Sequence, residues 1–353
     1  MKDRFILTIL MLILLTACGR KGDTGIGTSG EDENGTIVQN VHSETPYNSD
    51  QDDSRNIIKK AAWCVYWDPD TADDADKYSQ YSDLVIFGCI YSEDYKIYIP
   101  EKLDELTSKF SDGNLSDKHE IYISFINDII HPDGSSTQKS ADFIRDVLTD
   151  GELSDMIIDD MIKQAKSIGS DGIELDYENI HKCDDLWDEY TGFVSELYSR
   201  TVSEKMKLRV VLPVSTPVDE MDLPEGPQYV VMCYNLYGNH SGPGPKADEG
   251  FLKNTYNKFK SIDADYALAN GGFEWGPDGK TIRSLTSESA KALAEEKGAG
   301  VKREDNGALS YSFDSEEGIH TVYYGDEYTV DIWSNMLLEN ADGDIGIDLW
   351  RLE

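Results

Sequence analysis

Eight short apolar runs recur along the chain, separated by stretches with helical spacing, and this alternation limits what the chain can fold into. The runs are Trp63–Trp67, Leu84–Ile90, Ile121–Ile126, Gly172–Asp176, Leu208–Val214, Tyr229–Tyr234, Tyr266–Ala269 and Ile345–Trp350. Runs this continuously apolar suit strands of a parallel sheet buried on both faces, rather than half-exposed antiparallel ones. Between them lie helix patterns. Ile157, Met161, Ala165 and Ile168 fall on one face before Gly169, with Ser154 as the expected cap and Asp155 in the first turn. Leu186, Tyr190, Phe193 or Val194, and Leu197 repeat the spacing, and a further helix is expected over Phe251–Ile262. Eight strands alternating with helices predict an α/β chain folded as a (β/α)8 TIM barrel. A doubly wound open sheet is the rival, but no Gly-rich phosphate loop follows the first strand.

One stretch breaks the repeat. Residues from about Gly276 to Asp331 hold a helix pattern, Ser287–Lys297, and two strand-like pieces, Leu309–Phe313 and His320–Tyr324. They are read as a small α+β insertion between strands seven and eight. The barrel as a whole is expected over residues 57–353.

The chain carries 68 acidic and 32 basic side chains, a formal net charge of −36 over 353 residues. Such a surface repels phosphate backbones, which argues against nucleic-acid binding. Six histidines and five scattered cysteines, without CxxC or HExxH spacing, argue against a zinc site, and no cofactor is called for.

The N-terminus reads as an address. Lys2 and Arg4 precede an eleven-residue apolar run, Phe5–Leu15, too short for a bilayer core that needs about 20 residues. The ending Leu15-Thr16-Ala17-Cys18-Gly19 resembles a bacterial lipoprotein signal. That resemblance implies removal of residues 1–17, lipidation of Cys18, and a domain held at the extracellular face of the cell membrane. Ordinary secretion is the alternative. Residues 18–56, rich in Gly, Ser, Thr, Asn and acids, cannot offset their ordering entropy and read as a flexible tether. Cys64, Cys89, Cys183 and Cys233 remain; three sit in apolar runs, where cysteine behaves as a small hydrophobe, and their pairing stays open.

The fourth run, within Ser170–Asn179, carries the chemistry. Side chains alternate along a strand, so Glu174, Asp176 and Glu178 share one face, while Ile173, Leu175 and Tyr177 share the other. Three carboxylates then point toward the barrel axis, with Glu178 at the C-terminal end of the strand, where barrel active sites lie. Crowded carboxylates cannot all ionise cheaply, so one should keep a proton for general-acid work. A solvated acidic strand end and a three-carboxylate metal site remain as other readings of the same residues.

Here a resemblance becomes specific. Asp171, Asp176 and Glu178, with Gly172 and the intervening apolar residues, resemble the DxxDxDxE signature of glycoside hydrolase family 18, the chitinases and related endo-N-acetylglucosaminidases. Glu174 stands where that signature has Asp. Val231–Asn235 resembles the family's M-x-Y-D motif, including Met232 and Tyr234, with Asn235 in the Asp place. Gly346–Trp350 resembles the last strand, whose tryptophan floors the −1 sugar subsite. The run Tyr237–Pro245 and the segment Leu285–Gly298 resemble the bacterial spore and cell-wall branch, although no LysM repeat is evident.

The resemblance implies substrate-assisted retention. Glu178 would protonate the glycosidic oxygen and then activate water, while the substrate's own N-acetyl oxygen attacks the anomeric carbon. Asp176 would stabilise the acetamido group, with Glu174 tuning Asp176 from below. Tyr234 and Asn235 would bind the acetamido group and Trp350 the sugar face. Met232, Tyr66, Tyr91 and Asn127 are further candidates for the cleft; Asp171 faces away and is expected to be structural. The implied partner is an N-acetylglucosamine-containing glycan: peptidoglycan first, then chitin or N-glycan cores. A catalytically silent carbohydrate-binding barrel is the alternative of another class.

Overall fold

All eight apolar runs lie in parallel strands that close on themselves. The structure is a computed structural model describing residues 55–112, 118–182 and 186–353. The expected signal peptide, Cys18 and nearly all of the tether lie outside the described residues, as does Cys183. The barrel strands are β1 (Ile57–Val65), β2 (Asp83–Ser92), β3 (Glu120–Ile130), β4 (Gly172–Asp176), β5 (Lys207–Leu212), β6 (Gln228–Met232), β7 (Ala264–Leu268) and β8 (Ile345–Leu349). Each pairs in parallel with its sequence neighbours, and β8 closes the ring against β1. This is a (β/α)8 TIM barrel.

Outward side chains of the strands pack under helices, for example Leu84, Ile86, Ile173 and Leu175 against Leu103, Ile158 and Phe193. Inward side chains form a second cluster, with Trp63, Val85, Phe87, Tyr122, Ile126 and Met232 among them. Helices over Glu101–Asp112, Ala141–Thr149, Gly151–Ile168, Trp187–Ser203, Glu249–Phe259 and Glu327–Asn340 supply the outer layer. The connection from β5 to β6 has only a 3-10 turn, Val218–Glu220, because Pro213, Pro217, Pro224 and Pro227 deny a helix its backbone donors.

Two expectations shift. Asp150, not Ser154, caps the helix before β4; its carboxylate accepts the Glu152 and Leu153 N–H groups, and Gly169 ends the helix at φ 78°. The insertion is larger at its start than expected. It is a five-stranded antiparallel sheet built from Gly271–Trp275, Thr281–Leu285, Lys302–Arg303, Leu309–Ser315 and Gly318–Gly325, with the helix Ser287–Lys297 on it. Asp326 then caps the helix Glu327–Asn340, which already belongs to the barrel.

Cys64, Cys89 and Cys233 are free and buried. Burial pushes the Cys64 thiol up to about 12, so it is an inert hydrophobe at neutral pH.

Candidate active site

Strand β4 sets three carboxyls at successive depths in the barrel. Glu174 is fully buried, Asp176 is 8% exposed and Glu178 is 6% exposed, while Ile173, Leu175 and Tyr177 face the helices. At the deepest level, Trp63 Nε1 donates to Glu174 Oε1 at 2.7 Å and Arg209 Nε donates to Oε2 at 3.2 Å. The Arg209 guanidinium reaches on to Asp348 Oδ2 at 2.7 Å and lies over the Trp63 and Tyr122 rings. Asp348 Oδ1 accepts the Ala61 N–H at 2.9 Å. Burial raises the pKa of Glu174, and the Arg209 charge and these hydrogen bonds oppose the rise. Both oxygens of Glu174 are therefore occupied by the barrel floor.

Asp176, one level up, behaves differently. Burial first, then the neighbouring Glu178 and Glu174 charges, holds its carboxyl well above the usual range, against the pull of Lys139. The shift favours the protonated form of Asp176, and its Oδ1 finds no hydrogen-bond partner among the described residues. The direction of the shift is the one that crowding of the three acids leads one to expect.

Glu178 sits at the C-terminal mouth, just past the end of β4. Its backbone is clamped by Asn127: the Glu178 N–H donates to Asn127 Oδ1 at 2.9 Å, and Asn127 Nδ2 donates to the Glu178 carbonyl at 3.0 Å. One carboxylate oxygen meets Lys139 Nζ at 2.5 Å. The other, Oε2, has no hydrogen-bond partner among the described residues. A cavity of about 20 Å³, room for one water, opens between Phe87, Asn127, Asp128, Lys139, Asp176 and Glu178. Asp128 on its wall is pushed up to about 6 by burial, although it accepts the Lys139 N–H.

Aromatic side chains line the mouth. Trp350 packs edge-on to Trp63 at 5.7 Å and Phe87 at 4.8 Å, and lies nearly parallel to Tyr234 at 6.3 Å. Burial and the three acids hold the Tyr234 phenol well above its usual pKa, so it stays a hydrogen-bond donor. Asn235 is partly exposed beside it, whereas Met232 is buried in the inner cluster beneath. Tyr66 is partly exposed, packs against the outer cluster, and turns one ring edge to Gly88, whose φ is 132°; a Cβ there would stand 2.3 Å from the ring. Trp67 packs edge-on to Phe87, with the Arg351 guanidinium over its face.

Two sequence candidates are placed elsewhere. Tyr91 is fully buried in the outer layer, where Tyr177 OH donates to its hydroxyl and Phe143 stacks on its ring, so it cannot touch a sugar. Irregular register on either side of Cys89 turns this residue and Tyr91 outward, against simple alternation. Asn127, 1% exposed, spends its amide on the backbones of Glu178 and Ser140 and positions Glu178 rather than a ligand. Asp171 lies outside the site, where its carboxylate accepts the Ile121 N–H at 2.8 Å.

Sequence reasoning passed over Arg209, Asp348, Lys139 and Asn179. Arg209 carried a signal, because a cation inside a buried strand requires carboxylate partners. Lys139 carried none, since only the loop after β3 brings it to Glu178. A broader basin of about 900 Å³ opens at the opposite end, between Lys60, Asp83, Glu120, Lys207 and Asp265. It is remote from the β4 carboxyls, at the face of such barrels that serves stability.

No protein-family model and no curated protein matches the chain. Solved structures do. The spore cortex-lytic enzyme SleL of Bacillus cereus superposes with a TM-score of 0.66 at 17% identity, covering 85% of this chain and 72% of that one. A chitinase of Chromobacterium violaceum ATCC 12472 gives 0.66 at 18%, covering 85% and 94%. A class V chitinase of Nicotiana tobaccum gives 0.63 at 14%, covering 83% and 93%. The barrel is theirs. At these identities the likeness establishes the fold, and what the site does rests on its own residues.

Proposed function

We propose that the chain is a retaining, substrate-assisted glycoside hydrolase that cleaves β-1,4 bonds after N-acetylglucosamine, with peptidoglycan as its substrate. The observation that carries this reading is the division of labour on β4. Glu178 stands at the mouth with one oxygen unpartnered among the described residues, above a carboxyl, Asp176, whose pKa burial and its neighbours raise.

The raised pKa favours a protonated Asp176, which is a poor nucleophile for the ordinary two-carboxylate retaining scheme. The substrate's acetamido oxygen takes that place. Glu178 gives a proton to the departing glycosidic oxygen and later removes one from water. Asp176 and Tyr234 hydrogen-bond the acetamido group as it closes on the anomeric carbon, with Asn235 beside them. Trp350 offers its indole to the apolar face of the sugar at −1. Glu174, locked by Trp63 and Arg209, holds a charge beneath Asp176 that favours the protonated form.

Further support comes from the fold shared with a spore cortex-lytic enzyme and with chitinases. Chitin is the second substrate to test, because two of those neighbours are chitinases. The sequence Leu15–Gly19 supports lipidation at Cys18, which would keep the barrel near the wall at the outer face of the membrane.

The test is the release of new reducing ends from purified peptidoglycan and from chitin oligosaccharides, with identification by mass spectrometry. N-acetylglucosamine reducing ends from peptidoglycan are expected, and Glu178→Gln should lower turnover at least 100-fold in a protein that still folds. Turnover that survives Glu178→Gln would sink the mechanism. Sugar binding without turnover in either protein would make the barrel a carbohydrate-binding module.

A further inference from the structure

Lys139 is held in place by more than its charge. Its backbone is left-handed, at φ 49°, which a lysine does not adopt freely. Two partners brace it there. Asp128 Oδ1 accepts its N–H at 2.7 Å, and Asn179 Nδ2 donates to its carbonyl at 2.7 Å. Asn179 is itself left-handed, at φ 65°, and directly follows Glu178. The next residue, Ser140, is tied to Asn127, the same amide that clamps the Glu178 backbone. Lysine and carboxylate are thus fixed to each other through two asparagines. The ammonium is aimed at the Glu178 side chain with both groups largely buried, at 14% and 8% side-chain exposure.

This arrangement poses a chemical problem for an acid catalyst. The ammonium occupies one Glu178 oxygen at 2.5 Å, yet Glu178 must carry a proton to the leaving oxygen. Among the described residues, the charges that act with the pair are Asp176 and Asp128, with Glu174 acting on Asp176, all acids, so none of them draws the lysine away without leaving a buried carboxylate short of a partner. A group arriving with the substrate can do so.

The position of the ammonium says what that group is. Glu178 protonates the oxygen on C4 of the leaving sugar; of the two ring carbons beside it, C5 bears the same hydroxymethyl group in chitin and in peptidoglycan, and C3 differs. In a chitin chain C3 bears a hydroxyl. In the muramyl sugar of peptidoglycan it bears a lactyl ether ending in a carboxylate or, where a peptide is attached, an amide carbonyl.

We propose that Lys139 is a specificity-determining residue that reads the 3-O-lactyl group of the leaving-side sugar. The substrate's oxygen replaces Glu178 on the ammonium, and Glu178, released, takes up the proton that it then passes to the glycosidic oxygen. A lysine suits this exchange, being a compact charge with three donors on a flexible stem. The proton inventory balances over one turnover: Glu178 takes a proton from solvent as the lysine leaves it, gives it to the leaving oxygen, regains one from the water that completes hydrolysis, and returns it to solvent when Lys139 comes back.

The inference rests on the glycosidase reading and sharpens its substrate. Its test compares kcat/KM on a peptide-stripped glycan of alternating N-acetylglucosamine and muramyl sugars with kcat/KM on a chitin oligosaccharide of equal length. The full-length protein is assayed alongside Lys139→Met and Lys139→Arg. The native protein should favour the muramyl glycan at least tenfold. Lys139→Met should cut that ratio at least tenfold, with the muramyl KM rising, and Lys139→Arg should restore most of the preference. An equal loss on both substrates in Lys139→Met, or an unmoved ratio, overturns the proposal.

Should the native protein cleave neither glycan, the hydrolase reading fails, and calorimetric binding of the same two oligosaccharides decides the inference separately. A muramyl preference lost in Lys139→Met upholds it; equal affinities in both proteins overturn it.

Discussion

Arg209 shows at the scale of one residue how the catalytic strand is kept in place. It is fully buried, it joins Glu174 on β4 to Asp348 on β8, and its guanidinium is sandwiched near two rings. Two buried carboxylates depend on one cation, and taking away one partner of such a set typically costs about 3–5 kcal/mol because the others stay charged without compensation. Arg209→Met should therefore lower the melting temperature sharply. The loss should shrink in the double variant Arg209→Met/Glu174→Gln, which discharges one of the stranded acids. Thermal denaturation of the three proteins checks this. Equal losses in the single and double variants would mean that the arginine acts by packing against Trp63 and Tyr122 instead.

Elements depend on caps and register as much as on apolar runs. The helix Gly151–Ile168 starts at Asp150, whose side chain satisfies two otherwise unpaired N–H groups, so Asp150→Ala should cost about 1 kcal/mol. Ser154→Ala should cost almost nothing, because Ser154 lies inside the helix and alanine is the better helix former. Denaturant melts of the two variants separate the caps; an equal loss in both would refute this assignment. The same elements show what could be read from sequence. The strands were legible because parallel strands buried on both faces are written as unbroken apolar runs. Glu174, Asp176 and Glu178 were legible because alternation holds without a break along β4. Tyr91, a candidate from its place near the end of a strand, lies in the outer layer, because β2 is irregular around Cys89 and nearness to a strand end does not disclose which way a side chain turns. The first two insertion strands went unread: Thr281–Leu285 is largely exposed, and Gly271–Trp275 begins with two glycines. Lys139 and Asn179 lay beyond reach for another reason. Their roles depend on two left-handed backbones in separate loops, and nothing in the residue types announces those.

For the whole molecule, charge decides how stability responds to pH. Asp265, buried at the end of the barrel opposite the catalytic mouth, is pushed up to about 7 by burial and by the Asp348 charge. Asp128 at about 6, and Asp176 well above the usual range, shift the same way at the other end. Below a pH of about 4 both the folded and the unfolded chain hold these protons. Between about 4 and 7 the folded chain keeps them while the unfolded chain has released them, so unfolding gives up protons and stability falls as pH rises through this window. Each unit of upward shift corresponds to about 1.4 kcal/mol. Repulsion within a chain of net charge −36 acts in the same direction, but it belongs to the surface and is screened by salt. The two contributions therefore separate. Melting temperatures should decline from pH 4.5 to 7.5, and added salt should recover only part of the decline. Asp265→Asn, which cannot ionise, should be more stable than the native protein at pH 7.5, with the difference vanishing toward pH 4. A variant whose melting curve runs parallel to the native one across this range would show that Asp265 does not titrate with folding, and would leave surface repulsion as the source of the pH dependence.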